Sequence, residues 1–468
     1  MTGFFLQTRR VRQGAVFIAV LVLLFVFSAS ARPDQAIVDS FTLDNGMQVV
    51  VIPDHRAPIA THMVWYHVGA ADDPKGQSGL AHFLEHMMFK RTEKLAEGEY
   101  SRIVARNGGR QNAFTSADYT GYYQTVAVDR LPLMMELEAD RMVGLVLDEQ
   151  DIVSERDVVL EERSMRIDSQ PMSLLREQMA AAQYSIHPYG IPIIGWRREL
   201  EKLSLENVRN FYDKYYNPAN AVLVVAGDVT TDQIRDLAEK YYGPLKGTPL
   251  PKRKRPQEPE QAEAKRVDYR DQRVQQPTWL RSYHAPSYSA GEKQHAPALD
   301  VLGEILGGGV TSRLYQKLVV EQQVAVASGS QYSSTSYDPD SFLLYAIPRP
   351  GLAETPEKAL EILEQATDGV IADLLDKGVS DEELNRVKNS LVADMIYARD
   401  SNSTMAQIFG QALTSGNTIK DVLAWPDNIR AVTKQDVLEA ARYVLDIRKS
   451  VTGRLLPEMQ PEAEGVTK

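Results

Sequence analysis

Ala60-Thr-His-Met-Val-Trp-Tyr-His-Val68, the polar loop Gly69 to Gly79, and Leu80-Ala-His82-Phe-Leu-Glu85-His86-Met-Met-Phe-Lys90 read in succession as a strand, a connection and a helix. The same succession returns in the second half of the chain. Thr278 to His284 has strand character, a polar loop follows, and Ala298 to Leu306 reads as helix. A second pair of segments repeats as well: Leu203-Ser204-x-x-Asn207-Val208 recurs as Val432-Thr433-x-x-Asp436-Val437, a shift that sets Val222 on Val451. Each half is about 210 residues, the size of one α+β domain. The expected fold is therefore α+β, built from two homologous α/β-sandwich domains.

Other segments fit this plan. Phe41 to Ile52 alternates around Asn45-Gly46, a strong short hairpin signal. A helix opens at Ser204 and runs to about Tyr216, and Asn220 to Asp228 is a buried strand. Pro356 to Lys377 reads as helix and is followed by a capping box, Ser380-x-x-Glu383. Between the halves the chain turns rich in Pro, Lys, Glu and Gln. We therefore expect an N-terminal domain over 36–246, a linker over 247–269 and a C-terminal domain over 270–460. Within the linker, Lys252-Arg253-Lys254-Arg255 sits among prolines and reads as a solvated stretch.

Arg9, Arg10 and Arg12 precede an uncharged apolar run from Ala15 to Phe27, and Ala29-Ser30-Ala31 follows. This is the pattern of a secretory signal peptide over residues 1–31, with an uncleaved anchor as the alternative. Secretion across an inner membrane, with a periplasmic destination in a bacterial source, is the expectation. Removing that segment takes away three arginines and no acid, so the formal charge of −11 becomes −14. Nucleic acid is an unsuitable partner for such a chain. The sequence contains no cysteine, so any metal site must use His, Asp or Glu.

Such a set is present. Residues four apart on a helix share a face, so His82 and His86 can present two imidazoles to one point, with Glu85 beside them. Two neutral imidazoles and a carboxylate would leave zinc one open position. A neighbouring carboxylate could then take a proton from water. Downstream, Glu155 and Glu162 lie seven apart on a helical segment, two turns along one face. Surface salt bridges would explain these acids alone; beside the histidines, a ligand backed by an outer carboxylate explains them better.

Gly79-Leu-Ala-His82-Phe-Leu-Glu85-His86-Met-Met-Phe89, Asn107-Gly-Gly-Arg-Gln-Asn112-Ala113-Phe-Thr115, Val159-Leu-Glu161-Glu162, Tyr215-Tyr-x-Pro218-x-Asn220 and Leu306-Gly-Gly-Gly309-x-x-Ser312-Arg313-Leu314 occur in this order. Together they resemble the pitrilysin and mitochondrial-processing-peptidase family of inverted-motif zinc peptidases, over nearly the whole mature chain. The resemblance implies one zinc held by His82, His86 and a distal glutamate, with Glu85 as general base in peptide hydrolysis. The family's spacing selects Glu162 over Glu161 as third ligand, and Glu155 matches the outer carboxylate. It also implies that Asn112, Ala113 and Phe114 lie on an edge strand whose backbone pairs with an extended peptide substrate. At the positions aligned with His82, Glu85 and His86, the second half has Asp300, Gly303 and Glu304, so it is expected to lack the metal site. Gly307 to Gly309 match no phosphate-binding pattern and read as a helix stop and a tight turn.

One departure stands out. Family members that act alone or as homodimers carry an Arg and a Tyr in the C-terminal domain that hold the substrate backbone. Here the corresponding positions are Val319 and Val326. Neither valine can donate a hydrogen bond to a substrate carbonyl. The expected partner is a homologous subunit that supplies Arg and Tyr, giving a heterodimer with a composite site; compensation by Arg313 or Tyr315 is the alternative. Two further readings compete with a peptidase: a noncatalytic subunit of a peptidase-like assembly, and a peptide-binding module with structural zinc.

Overall fold

The computed structural model describes residues 38–458, so the expected signal segment, residues 1–31, lies outside the described residues. Among the described residues no helix is long and apolar enough to cross a membrane. The strands of the two large sheets are β1 (Asp39–Thr42), β2 (Gln48–Pro53), β3 (Ile59–Tyr66), β4 (Arg110–Thr115), β5 (Thr120–Ala127) and β6 (Ala221–Gly227) in the first half. The second half has β7 (Lys265–Asp271), β8 (Thr278–Ala285), β9 (Ala325–Tyr332), β10 (Asp340–Pro348) and β11 (Ser450–Pro457). Seven helices matter below: α1 (Leu80–Met87), α2 (Glu149–Arg163), α3 (Pro171–Gln183), α4 (Leu205–Tyr215), α5 (Ala296–Gly307), α6 (Asn402–Thr414) and α7 (Lys434–Val444).

The two sheets share one topology. The first runs β1-β2-β6-β3-β5-β4 and the second, from its other end, β7-β11-β8-β10-β9. In each sheet one pair is parallel, β2 with β6 and β7 with β11. The pairs that follow in each sheet are antiparallel. Val222 lies opposite Trp65, and Val451, its expected counterpart, opposite Ser282. The repeated helix starts also match: Ser204 and Thr433 each accept from the backbone N–H three residues on, and Asn207 and Asp436 reach back to close the box. These caps explain why the repeat was visible, because a capping box fixes residue types at a fixed spacing. Each half has its own apolar core, one including Val64, Phe83 and Leu223, the other Tyr283, Leu302 and Leu344.

The halves are interlocked by exchanged helices. α3, from the first half, packs on β7 and β11 of the second sheet, burying Leu175 and Met179 beside Leu280 and Val451. In return α6, from the second half, packs on β3 and β6 of the first sheet. Each contact is cut close by a glycine. A β-carbon on Gly410 would come within 2.1 Å of the fully buried Trp65 ring, and one on Gly453 within 2.1 Å of Met179 Sδ.

The linker departs from the expectation. Residues 246–262 have no regular secondary structure, but they are not a solvated stretch throughout. Lys252 and Lys254 are exposed, whereas Arg253 and Arg255 turn inward, as alternate residues of an extended chain must. The Arg255 side chain is 5% exposed and contacts Asp72 (3.0 Å) and Asp118 (2.5 Å) from the first half and Asp338 (3.1 Å) from the second. Arg253 adds bonds to the Asp118 and Thr414 carbonyls. Pattern reading misses this because composition reports the average solvation of a segment, not the fate of alternate residues.

Two outcomes follow. Gly410→Ala should gain up to about 1 kcal/mol in helix propensity, yet lose about 1 to 3 kcal/mol from overpacking against Trp65. Denaturant unfolding should show a net loss of stability; a gain would refute the close contact. Arg255→Met removes the buried cation that bridges Asp72, Asp118 and Asp338 and should cost about 3 to 5 kcal/mol, whereas Lys254→Gln should stay within about 0.5 kcal/mol of the parent.

Candidate metal centre

The helix carrying both histidines is held at its start. Gly79, with φ +87°, turns the chain into α1, and a β-carbon there would lie 2.5 Å from the Ile194 carbonyl. The Asp73 carboxylate accepts from the N–H groups of Gly79 (2.7 Å), Leu80 (3.1 Å) and Ala81 (2.9 Å), satisfying donors that have no partner in the first turn. From this start the helical period sends Leu80, Phe83, Leu84 and Met87 into the core. His82, Glu85 and His86 are left facing a cavity of about 610 Å³. The helix stops at Met87, three residues before the expected Lys90.

α2 supplies the carboxylates from the opposite wall. Glu162 Oε2 lies 3.3 Å from His86 Nε2 and 3.6 Å from His82 Nε2. The structure thus brings the three expected ligands together, their donor atoms all within 4.8 Å of one another. Glu161 points away and is exposed. Glu155, two turns earlier, accepts at 2.9 Å from His86 Nδ1, which leaves Nε2 as the ligating atom. Lys90 Nζ in turn contacts the other Glu155 oxygen at 2.7 Å.

The electrostatics mark a site that wants a cation. Glu162 Oε2 is buried and has no hydrogen-bond partner, although two nitrogens face it. Burial and the neighbouring His86 push His82 down to about 4. Burial acts the same way on His86, but the hydrogen bond to Glu155 and the nearby negative charge of Glu162 outweigh it and raise that imidazole to about 9. The hydrogen bond from His86 draws Glu155 down to about 2. Two imidazoles and one orphaned carboxylate oxygen, with no cysteine, form the donor set of a three-ligand zinc site, so the residues fit zinc.

Glu85 is set apart from the ligands. Its Oε2 accepts from Thr115 Oγ1 at 2.5 Å, and burial raises its carboxyl above the ordinary range. Thr115 ends β4, the outermost strand of the first sheet. Asn112, Ala113 and Phe114 all line the cavity from that strand. The Asn112 side chain accepts from the Ala113 N–H, and the Phe114 ring packs edge-on against Trp65. The sequence reading missed Asp73, Lys90 and Thr115 as supports of the site. Lys90 and Thr115 lie at the ends of motif segments and Asp73 in the loop before the first, and side-chain direction cannot be read from position.

Among the described residues the second half has no such set. Asp300, aligned with His82, is occupied by hydrogen bonds from Tyr288 Oη (2.6 Å) and Trp425 Nε1 (3.1 Å). Val319 is half-buried against the second core and Val326 is exposed. Arg313, the alternative cation, is tied to Glu383 and the Gly378 carbonyl. Gly307 ends α5 and Gly309, at φ +81°, makes the tight turn.

Glu162→Gln should weaken zinc binding by tenfold or more, because one ligand loses its charge, whereas Glu161→Gln should bind as the parent does. Equal losses in a chelator-competition titration would overturn the assignment.

Comparison with known proteins shows the family and the fold. Residues 48–196 match the family "Insulinase (Peptidase family M16)", and residues 202–391 match "Peptidase M16 inactive domain". The zinc protease PqqE of Helicobacter pylori is 30% identical over 93% of this chain and 97% of its own length. The crystal structure of a protease from Helicobacter pylori superposes with a TM-score of 0.81 at 30% identity, covering 90% of this chain and 99% of that one. The periplasmic protease PqqL of Escherichia coli shares the fold at 17% identity and a TM-score of 0.76, over 90% of this chain and 48% of its own. With metal-helix motif, duplicated sheets and full-length relatives in agreement, this chain belongs to peptidase family M16, the insulinase and pitrilysin type.

Proposed function

We propose that this chain is a zinc-dependent endopeptidase that hydrolyses peptides or unfolded segments bound in extended form. The observation that carries the reading is Glu85, held by Thr115 beside three converging ligand atoms and next to the outer strand β4. His82, His86 and Glu162 would hold the ion, and Glu155 would orient His86. Zinc bound there supplies Lewis acidity and lowers the pKa of water toward about 7. Glu85 takes the proton from the attacking water through its other oxygen, Oε1, and returns it to the leaving amine. β4 is an edge strand with no neighbour on its outer side, so a peptide adds as a further strand and is read through its main chain, with Asn112, Ala113 and Phe114 along the contact.

The missing Arg and Tyr favour a second subunit. Arg313 is engaged within the second half, and neither valine offers a donor, so a homologous chain carrying Arg and Tyr would complete the site. Domains over 36–246 and 270–460, joined by 247–269, and a periplasmic location after removal of residues 1–31 belong to the same proposal. The description of the Escherichia coli relative as periplasmic supports the location.

Glu85→Gln should retain zinc and lose peptide hydrolysis, since the amide cannot accept a proton. Activity within tenfold of the parent would sink the role. Assayed alone, the chain should be weakly active. A homologous partner should raise the rate, and replacing that partner's Arg or Tyr should abolish the gain. Full activity from the isolated chain, unchanged by the partner, would refute the composite site.

A further inference from the structure

The two oxygens of Glu162 face different neighbours. Oε2 is turned to the imidazoles, while Oε1 lies 2.8 Å from Arg166 Nη1, one turn further along the chain. Arg166 belongs to a π-helical turn, Ser164–Asp168, that continues α2 directly beyond the ligand. That turn is pinned from the side away from the cavity. Buried Arg163 binds Glu177 and the Gly195 carbonyl, and Arg197 binds both Ser164 Oγ and Asp168. With its backbone fixed on both sides, the turn leaves Arg166 on the cavity wall, 72% exposed, reaching back to Glu162.

A carboxylate can meet a metal through one oxygen or both, and a free side chain can swing between the two modes. We propose that Arg166 is a positioning residue that holds Glu162 as a one-oxygen ligand and so sets the zinc affinity of the site. This rests on the zinc reading above. Two effects of Arg166 oppose each other. Its positive charge disfavours a nearby dication, while its grip on Oε1 fixes Oε2 toward the imidazoles. The guanidinium is largely in water, which screens the repulsion, whereas the contact to Oε1 is direct. Orientation therefore outweighs repulsion, and loss of Arg166 weakens zinc.

The test is zinc affinity of the full mature chain, measured by chelator competition, for Arg166→Ala, Arg166→Lys, Glu162→Gln and the double variant Arg166→Ala with Glu162→Gln. Arg166→Ala should bind zinc about tenfold more weakly, in line with losses of groups that orient metal ligands. Arg166→Lys should recover most of that loss. Adding Arg166→Ala to Glu162→Gln should cost nothing more, because the effect passes through Glu162. With Co²⁺ in place of zinc, Arg166→Ala should also change the visible spectrum, which reports coordination number, while the unfolding midpoint of the metal-free chain stays put. Unchanged or tighter zinc binding in Arg166→Ala, or an undiminished loss in the double variant, would overturn the proposal. A parent chain that binds no zinc would refute the metal centre itself, and this inference with it.

Discussion

A carboxylate oxygen buried between two imidazoles, with no hydrogen-bond donor of its own, is the constraint on which this molecule turns. Leaving such an oxygen unsatisfied costs about 1 to 3 kcal/mol or more when it is charged. Two helices must therefore be held face to face for the three groups to meet. α1 is fixed at its start by Asp73 and along its length by an apolar face in the first core. α2 is fixed by its capping box at Asp148 and Asp151 and, at its last residue, by Arg163. What the fold holds in place is the convergence of His82, His86 and Glu162.

The duplicated architecture serves that convergence from a distance. The sheet beneath α1 is covered on its other face by α6, a helix from the second half, while α3 crosses to the second sheet. The exchange makes the two halves one compact unit, and buried Arg255 ties both to the connecting segment. In the second half the same strand and helix order survives without the chemistry. There Asp300 is held by Tyr288 and Trp425, so the helix corresponding to α1 serves packing.

Much of this was legible in the sequence because it rests on period and spacing. The His82 to His86 interval, the seven residues from Glu155 to Glu162 and the two capping boxes are local geometries that a helix converts directly into shared faces. The strand order could be anticipated only as a repeat, since pairing depends on contacts distant in the chain. Three features stayed hidden for definite reasons. Alternate burial of Arg253 and Arg255 needs the positions of Asp72, Asp118 and Asp338, which come from three separate loops. Thr115 reaches Glu85 only because β4 lies at the edge next to α1. Arg166 meets Glu162 at the i, i+4 spacing of any helical pair, and only the structure shows that the opposite oxygen is turned to the histidines.

The central claim is that the convergent set is a zinc site that performs hydrolysis. The most direct measurement is metal content of the purified chain, taken together with its digestion of a peptide mixture before and after chelation. One zinc per chain, with cleavage lost on chelation and restored by added zinc, is the predicted result. Folded protein without stoichiometric zinc, or cleavage indifferent to the chelator, would contradict the account.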